Sequence, residues 1–288
     1  MCPNDLFNLV TNPSDLTFQE IRDSKDWKKQ RDSINELWNQ YQPYADRHFA
    51  VEVGRQFYPR FWEMWLTCKL LNQGFKLEEK KGRKSAGPDI CILDNQKHVW
   101  IEAQFVEKGN GPDAIENNEF GCGFHPHKDK VNLRYLNAVS EKHEKYKIYL
   151  KKEIIQPDEP YVIAIGAIGI LGYKMVQSIF ESVFGIGQYT VEIDTTCSKI
   201  VNEYYPSKPQ IIKESGSPVS TTRFLTKKAN EISAILIANP CPIEMTSPKL
   251  SMILNPNAIN PLSTEWLKEG HVYWVEKNEI EHRVRRGN

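Results

Sequence analysis

Net charge is what this sequence lacks first: 37 Lys and Arg balance 37 Asp and Glu over 288 residues. A neutral chain has no overall field to hold nucleic acid or an anionic membrane, although a local basic groove remains allowed. Paired cysteines are also missing. Cys2, Cys68, Cys91, Cys122, Cys197 and Cys241 are scattered, with no CxxC among them. They read as free thiols in a reducing compartment, not as a disulfide framework or zinc site. No apolar run is long enough for a bilayer. The longest, VIAIGAIGIL (162–171), falls short of the roughly 18–20 residues a span requires, so it reads as a buried strand and no membrane partner is expected. The opening MCPNDLFNLV has no basic segment followed by a long apolar stretch. The expectation is therefore no signal peptide and a cytoplasmic location. Repeats and low-complexity tracts are absent, as are a GxSxG elbow, a Walker loop and an HExxH helix, which removes support for the hydrolases and transferases built on them.

What is present suits a large α/β protein: 40% of residues are hydrophobic and 26% charged, enough to bury a sizeable core. Residues 1–48 are polar, with Trp27, Leu37, Trp38 and Tyr41 as apolar markers, and read as an N-terminal helical cap. Residues 49–288 read as the α/β domain, with strands and loops towards its C-terminus. In 59–74, Pro59 suits a first helical turn and Gly74 an end. Phe61, Trp65, Cys68 and Leu71 make its apolar stripe, and Glu63 sits inside it. A hairpin follows, from Asp89–Leu93 through a turn to His98–Val106. Residues 110–127 read as a loop, 128–152 as a long basic helix, 161–170 as a buried strand and the stretch near 173–184 as a helix. Strand signals recur in QYTVEIDTT, EISAILIANP, KLSMILNPNA and HVYWVEKNEIEHRV. Residues 205–222, rich in Pro, Ser and Lys, are expected to be a mobile surface loop. The order predicts one mixed α/β layered domain.

The hairpin carries a polar trio. Side chains alternate along a strand, so Ile101, Ala103 and Phe105 share one face of WIEAQFV while Glu102 and Gln104 share the other. On the preceding strand Ile90 and Ile92 can face the core, which leaves Asp89 on the polar side at the strand's start. Antiparallel pairing brings Asp89 level with Glu102 and Gln104. Converging carboxylates repel unless compensated, and Mg²⁺ accepts carboxylate oxygens, a carbonyl and retained waters. Asp89, Glu102 and the carbonyl of Ala103 offer that set.

Pro88-Asp89 followed by Glu102-Ala103-Gln104, with the acidic helix before and the basic helix after, resembles the PD-(D/E)xK nuclease superfamily over roughly residues 59–170. The resemblance implies a restriction-endonuclease-like fold: a mixed central sheet flanked by helices, with the N-terminal helical segment added. It implies a Mg²⁺- or Mn²⁺-dependent phosphodiesterase acting on nucleic acid, a DNA endonuclease. Asp89 and Glu102 would hold the metal with Ala103, Gln104 would orient the attacking water, and Glu63 would assist the metal or its water shell. Arg134, Lys142 and Lys145 would contact phosphate. Cutting both strands would favour a homodimer. The family's third motif residue is Lys, and Gln104 departs from it: an amide orients a water but carries no charge. A compensating cation would come from Lys80, Lys81, Lys84 or Lys142.

Plainer readings stand beside these. Asp89 caps a strand after Gly87-Pro88. Glu102 and Gln104 form the solvated face of an edge strand. Glu63 is locally paired, and the basic helix is a solvated face. His125 and His127, with Cys122 near, read as a polar loop before a zinc site. GAIGILG (166–172) has the wrong spacing for a dinucleotide loop. Two rivals to the nuclease follow: a catalytically inactive nuclease-like fold serving as a nucleic-acid or protein binding module, and a metal-independent hydrolase or transferase using the acids as general acid and base.

Overall fold

A strand covered on both faces reads as an unbroken apolar run, and YVIAIGA and ISAILIA are such runs. The computed structural model describes residues 5–80, 87–94, 97–116, 127–172, 174–187, 189–276 and 279–287. Its helices are α1 (Leu6–Leu9), α2 (Leu16–Asp23), α3 (Lys28–Tyr41), α4 (Phe49–Val53), α5 (Phe57–Asn72), α6 (Lys128–Lys151) and α7 (Met175–Phe184). Its strands are β1 (Ile90–Asp94), β2 (Lys97–Val106), β3 (Tyr161–Ala167), β4 (Thr190–Asp194), β5 (Lys199–Tyr204), β6 (Gln210–Ile212), β7 (Pro218–Ser220), β8 (Ile232–Ala238), β9 (Ser251–Leu254), β10 (Gly270–Glu276) and β11 (Glu279–Arg285). The described residues build a mixed seven-stranded sheet in the order β1-β2-β3-β8-β9-β10-β11. β2, β3 and β8 run parallel, β1 is antiparallel to β2, and β9 is antiparallel to β8. The chain is α/β, as its element order predicts. No helix among the described residues is long and apolar enough to cross a membrane.

Alternation along the strands divides the core into two layers. Ile90, Ile101, Phe105, Val162, Ala164, Ala234 and Leu236 pack with α1–α5 on one face. Cys91, Trp100, Val106, Ile163, Ile165, Ile235 and Ile237 pack with α6 and α7 on the other. Cys91 is thus a small buried side chain. Because both faces are covered, the side of β2 that carries Glu102 is interior. The strands at the sheet's edges are β1 and β11, and β2 is internal.

Three features fix α5 against this sheet. Asp15 accepts from Phe18 N–H and from Phe57 N–H, capping α2 and α5 with one carboxylate. Trp62 donates its indole N–H to the Ala164 carbonyl at 3.3 Å. Gly166 lies beneath the same indole, where a Cβ would come within 2.5 Å of Trp62 Cδ2. After the helix, Gly74 takes φ 75°, the left-handed conformation that suits a helix end.

Residues 205–222 depart from the expectation of a mobile loop. β6 and β7 pair antiparallel, and Ile211 is buried against Leu133 and Leu136 of α6. The Pro- and Ser-rich composition concealed a two-residue apolar contact, Ile211 and Val219, that pins the hairpin to the helix. GAIGILG ends β3 and enters a short 3₁₀ turn over Gly169–Gly172. The Asn95-Gln96 turn, Cys122 and His125 lie outside the described residues, as do Lys81 and Lys84.

Candidate active site

The site begins with a mismatch in strand length. β1 starts at Ile90, paired with Ile101, while β2 continues to Val106. From Glu102 onward β2 pairs with β3 on one edge, and β1 no longer covers the other. Asp89 closes part of this notch: its Oδ2 accepts the Ala103 N–H at 2.8 Å. A residue's N–H and C=O share one edge of a strand, so the Ala103 carbonyl opens on the Asp89 side.

Glu102 points into the α6 layer and is 2% exposed. Lys142 and Lys145 both donate to its Oε1, at 3.0 and 2.9 Å. Tyr149 Oη donates to Oε2 at 3.2 Å, long for an O–H···O bond. Positions 138, 142, 145 and 149 form one helical stripe over β2, the spacing that places successive side chains above one another. Ala138 provides the room and the next three provide the donors. Glu102 holds Lys145 well above the usual ammonium value, against burial pulling it down. Burial, then Glu102, raises the Tyr149 hydroxyl strongly.

Glu63 reaches the notch from the opposite layer. Tyr41 Oη and Lys80 Nζ each donate to its Oε1 at 2.7 Å, and Arg60 Nη1 donates to Oε2 at 2.9 Å. Burial pushes the carboxyl up, but Lys80, Tyr41 and Arg60 outweigh it and hold Glu63 below its usual value. Asp89 lies between the two paired glutamates. Burial first, then the charges of Glu63 and Glu102, raise it from 3.8 to about 7, against the pull of Lys80 and Lys142.

Arg60, Glu63, Asp89, Glu102, Lys142 and Lys145 line one cleft of about 440 Å³, with Gln104 and Ala103 beside them. Its far wall is Tyr58 stacked on Phe105, centroids 5.8 Å apart, next to Arg55 and Arg60. The structure therefore gathers Asp89, Glu102, Ala103, Gln104, Glu63, Lys142 and Lys145. Gln104 donates its amide to the Phe105 carbonyl at 2.9 Å. Arg134 stands outside the cleft lining and donates to the carbonyl of Glu107, a residue of the rim. Tyr149, Tyr41 and Arg60 are partners that sequence reasoning missed. Tyr149 was within reach, one more step of the α6 stripe. Tyr41 was not, because it enters from a different helix.

Among the described residues no group of three or more His, Cys, Asp or Glu is arranged to hold a metal ion. The donor chemistry still fits one kind of ion. Mg²⁺ is usually bound by one or two carboxylates and keeps several waters; Asp89, the Glu102 carboxylate and the Ala103 carbonyl are donors of that chemistry. Two carboxylates with lysines alongside do not suit a closed structural site for a softer metal. No protein-family model, curated protein or solved structure matches this chain.

Proposed function

We propose that this chain is a divalent-metal-dependent phosphodiesterase acting on nucleic acid, a DNA endonuclease of the PD-(D/E)xK type on a restriction-endonuclease-like sheet. One observation carries the reading: three carboxylates and two lysines, drawn from both helical layers and the hairpin, converge on a single cleft at the uncovered edge of β2. Asp89, Glu102 and the Ala103 carbonyl would hold Mg²⁺ or Mn²⁺. A bound ion of this kind activates a water and neutralises charge on the phosphodiester. Gln104 orients the attacking water through its amide. Lys142 and Lys145 bring the positive charge that position 104 lacks, with Lys145 42% exposed towards solvent. Lys80 supports Glu63 in the same way on the other side, and Glu63 would assist the metal's water shell. Arg134 meets phosphate at the rim. Water attacks in line, without a covalent enzyme intermediate.

The test is cleavage of supercoiled plasmid with Mg²⁺, with and without EDTA. Wild type should nick or cut, EDTA should stop it, and Asp89→Ala should abolish cleavage while circular dichroism stays native. Full activity in Asp89→Ala would overturn the assignment.

A second reading is favoured by the ion pairs themselves. Glu102 and Glu63 are both neutralised by ammonium groups from the chain, as expected of an inactive nuclease-like fold that binds nucleic acid or protein. Calorimetric Mg²⁺ titration separates the two: the enzyme has a site lost with Asp89 or Glu102, and the inactive module has none.

A further inference from the structure

The cleft has two unlike walls, one from each helical layer. Lys142 and Lys145 of α6 form the first. The second is the start of α5, with Arg55 and Gln56 just before it, then Tyr58 and Pro59, and Phe105 of β2 alongside. The Tyr58 and Phe105 rings lie 10° from parallel, and both line the cleft. Between the walls the carboxylates are deep, Glu102 2% and Glu63 3% exposed. We propose that the substrate is an unpaired DNA strand, its backbone along the α6 lysines and one base against the Tyr58–Phe105 wall. The inference deepens the nuclease reading and rests on it for the site it uses.

In a duplex each base has its faces covered by stacked neighbours and its pairing edge by the other strand. An aromatic wall across from the phosphate contacts then has nothing to receive. Unpaired strands are held as this cleft is built: cations follow the backbone, bases stack on aromatic rings or guanidinium planes, and side chains meet the freed pairing edges. Arg55 and Gln56 supply such groups. Both are exposed, and neither side chain has a hydrogen bond or ion pair among the described residues. Depth argues the same way. A space of about 440 Å³ is that of a small-ligand pocket. A phosphodiester must bend into it to reach Asp89 and Glu102, and duplex DNA stays stiff over about 150 base pairs. The acids of the cleft do not oppose entry. Glu63 and Glu102 have cationic partners, and Asp15 caps two helices.

A short DNA oligonucleotide with 2-aminopurine at its centre, free and annealed to its complement, tests this, with Ca²⁺ replacing Mg²⁺ to hold back cutting. The unpaired strand should bind about tenfold tighter than the duplex or better, and its 2-aminopurine emission should be quenched on binding. Tyr58→Leu keeps apolar volume against Phe105 but removes the ring. It should lose about tenfold for the single strand and nothing for the duplex. Arg55→Ala changes an exposed side chain, so folding is not at issue, and it should show a smaller loss with the same selectivity. Equal or tighter duplex binding, unquenched emission in the bound complex, or indifference to both substitutions would each overturn the proposal. Cleavage reads the nuclease assignment separately. Negative supercoiling favours strand opening, so supercoiled plasmid should be cut and relaxed plasmid spared. A chain that binds the strand as stated but cuts nothing ends the nuclease reading alone. One that cuts relaxed and supercoiled plasmid alike ends this inference alone, and binding to neither form of DNA ends both.

Discussion

Asp89 Oδ2 accepts the backbone N–H of Ala103 at 2.8 Å, across the gap left where β1 stops and β2 continues. One hydrogen bond thus satisfies a donor stranded by the end of a strand and fixes a carboxylate beside two other acids. The arrangement is costly for Asp89, because its neighbours Glu63 and Glu102 already have cationic partners and it must share what remains of their field.

That cost should be visible as a pH dependence. The folded carboxyl titrates near 7 and the usual value is 3.8. Between those values the folded state keeps a proton that the unfolded chain has lost, so stability falls as pH rises. The contribution is fully present below about pH 4 and is lost as pH rises through about 7. Asp89→Asn cannot ionise and should escape the loss. Its melting temperature should overtake that of wild type at pH 8 by on the order of 2–4 °C, discounted for the partial exposure of Asp89 to the cleft, and the gain should disappear at pH 4. Mg²⁺ should raise the melting temperature of wild type at pH 8 and leave Asp89→Asn unmoved. Differential scanning fluorimetry across pH, with and without the ion, checks both.

Glu63 should behave in the opposite sense. Its folded value is depressed by Lys80, Tyr41 and Arg60, so its contribution is present above the usual carboxylate value and is lost as pH falls through the folded one. Lys80→Met removes the largest of those supports and should cost about 2–4 kcal/mol near neutral pH, since it leaves a buried charge underpaired. Tyr41→Phe should cost about 1 kcal/mol, one hydrogen bond to the carboxylate. Urea denaturation at neutral pH ranks the two; equal costs would show that Lys80 is not the main partner.

Much of this was legible in advance, and the unread part has physical reasons. Period-two alternation identified Ile101, Ala103 and Phe105 as one face and Glu102 with Gln104 as the other, and the folded chain keeps that division. The burial of the second face was not legible. It depends on α6 crossing β2 from more than twenty residues away, a long-range packing that strand alternation does not encode. Helical spacing grouped Lys142 with Lys145, but whether their ammonium groups met phosphate or a carboxylate depended on that same crossing. Composition misled at 205–222: Pro, Ser and Lys mark loops on average, yet Ile211 alone gives β6 a buried contact.

Lys142 and Lys145 share one oxygen of Glu102 but should differ in weight. Lys142 is almost wholly buried while Lys145 is 42% exposed. Lys142→Met should cost about 2–4 kcal/mol, and Lys145→Ala less than about 1 kcal/mol. Adding Glu102→Gln to Lys142→Met removes the stranded charge and should recover most of the stability. Cleavage should not return with it, because the proposed metal ligand is then gone. Paired measurements of chemical denaturation and plasmid cutting separate the two effects.

The position of Glu63 depends on a glycine in another layer. Trp62, its neighbour on α5, sits directly over Gly166 of β3, where a methyl group would approach to 2.5 Å. The indole is fully buried and its N–H is committed to the Ala164 carbonyl, so neither ring nor strand can yield cheaply. Gly166→Ala should therefore push α5 away from the sheet, at about 1–3 kcal/mol, the range for overpacking a tight interior. The displacement carries Glu63 with it and lengthens its bonds to Tyr41 and Lys80, so the proposed cleavage should fall further than the loss of folded protein accounts for. A smaller ring offers the control. Trp62→Phe in the Gly166→Ala background vacates volume where the methyl intrudes and should return part of the activity, although alone it is destabilising through the lost indole hydrogen bond. Measured specific activity, normalised to the folded fraction by circular dichroism, decides between displacement of the carboxylate and simple loss of fold.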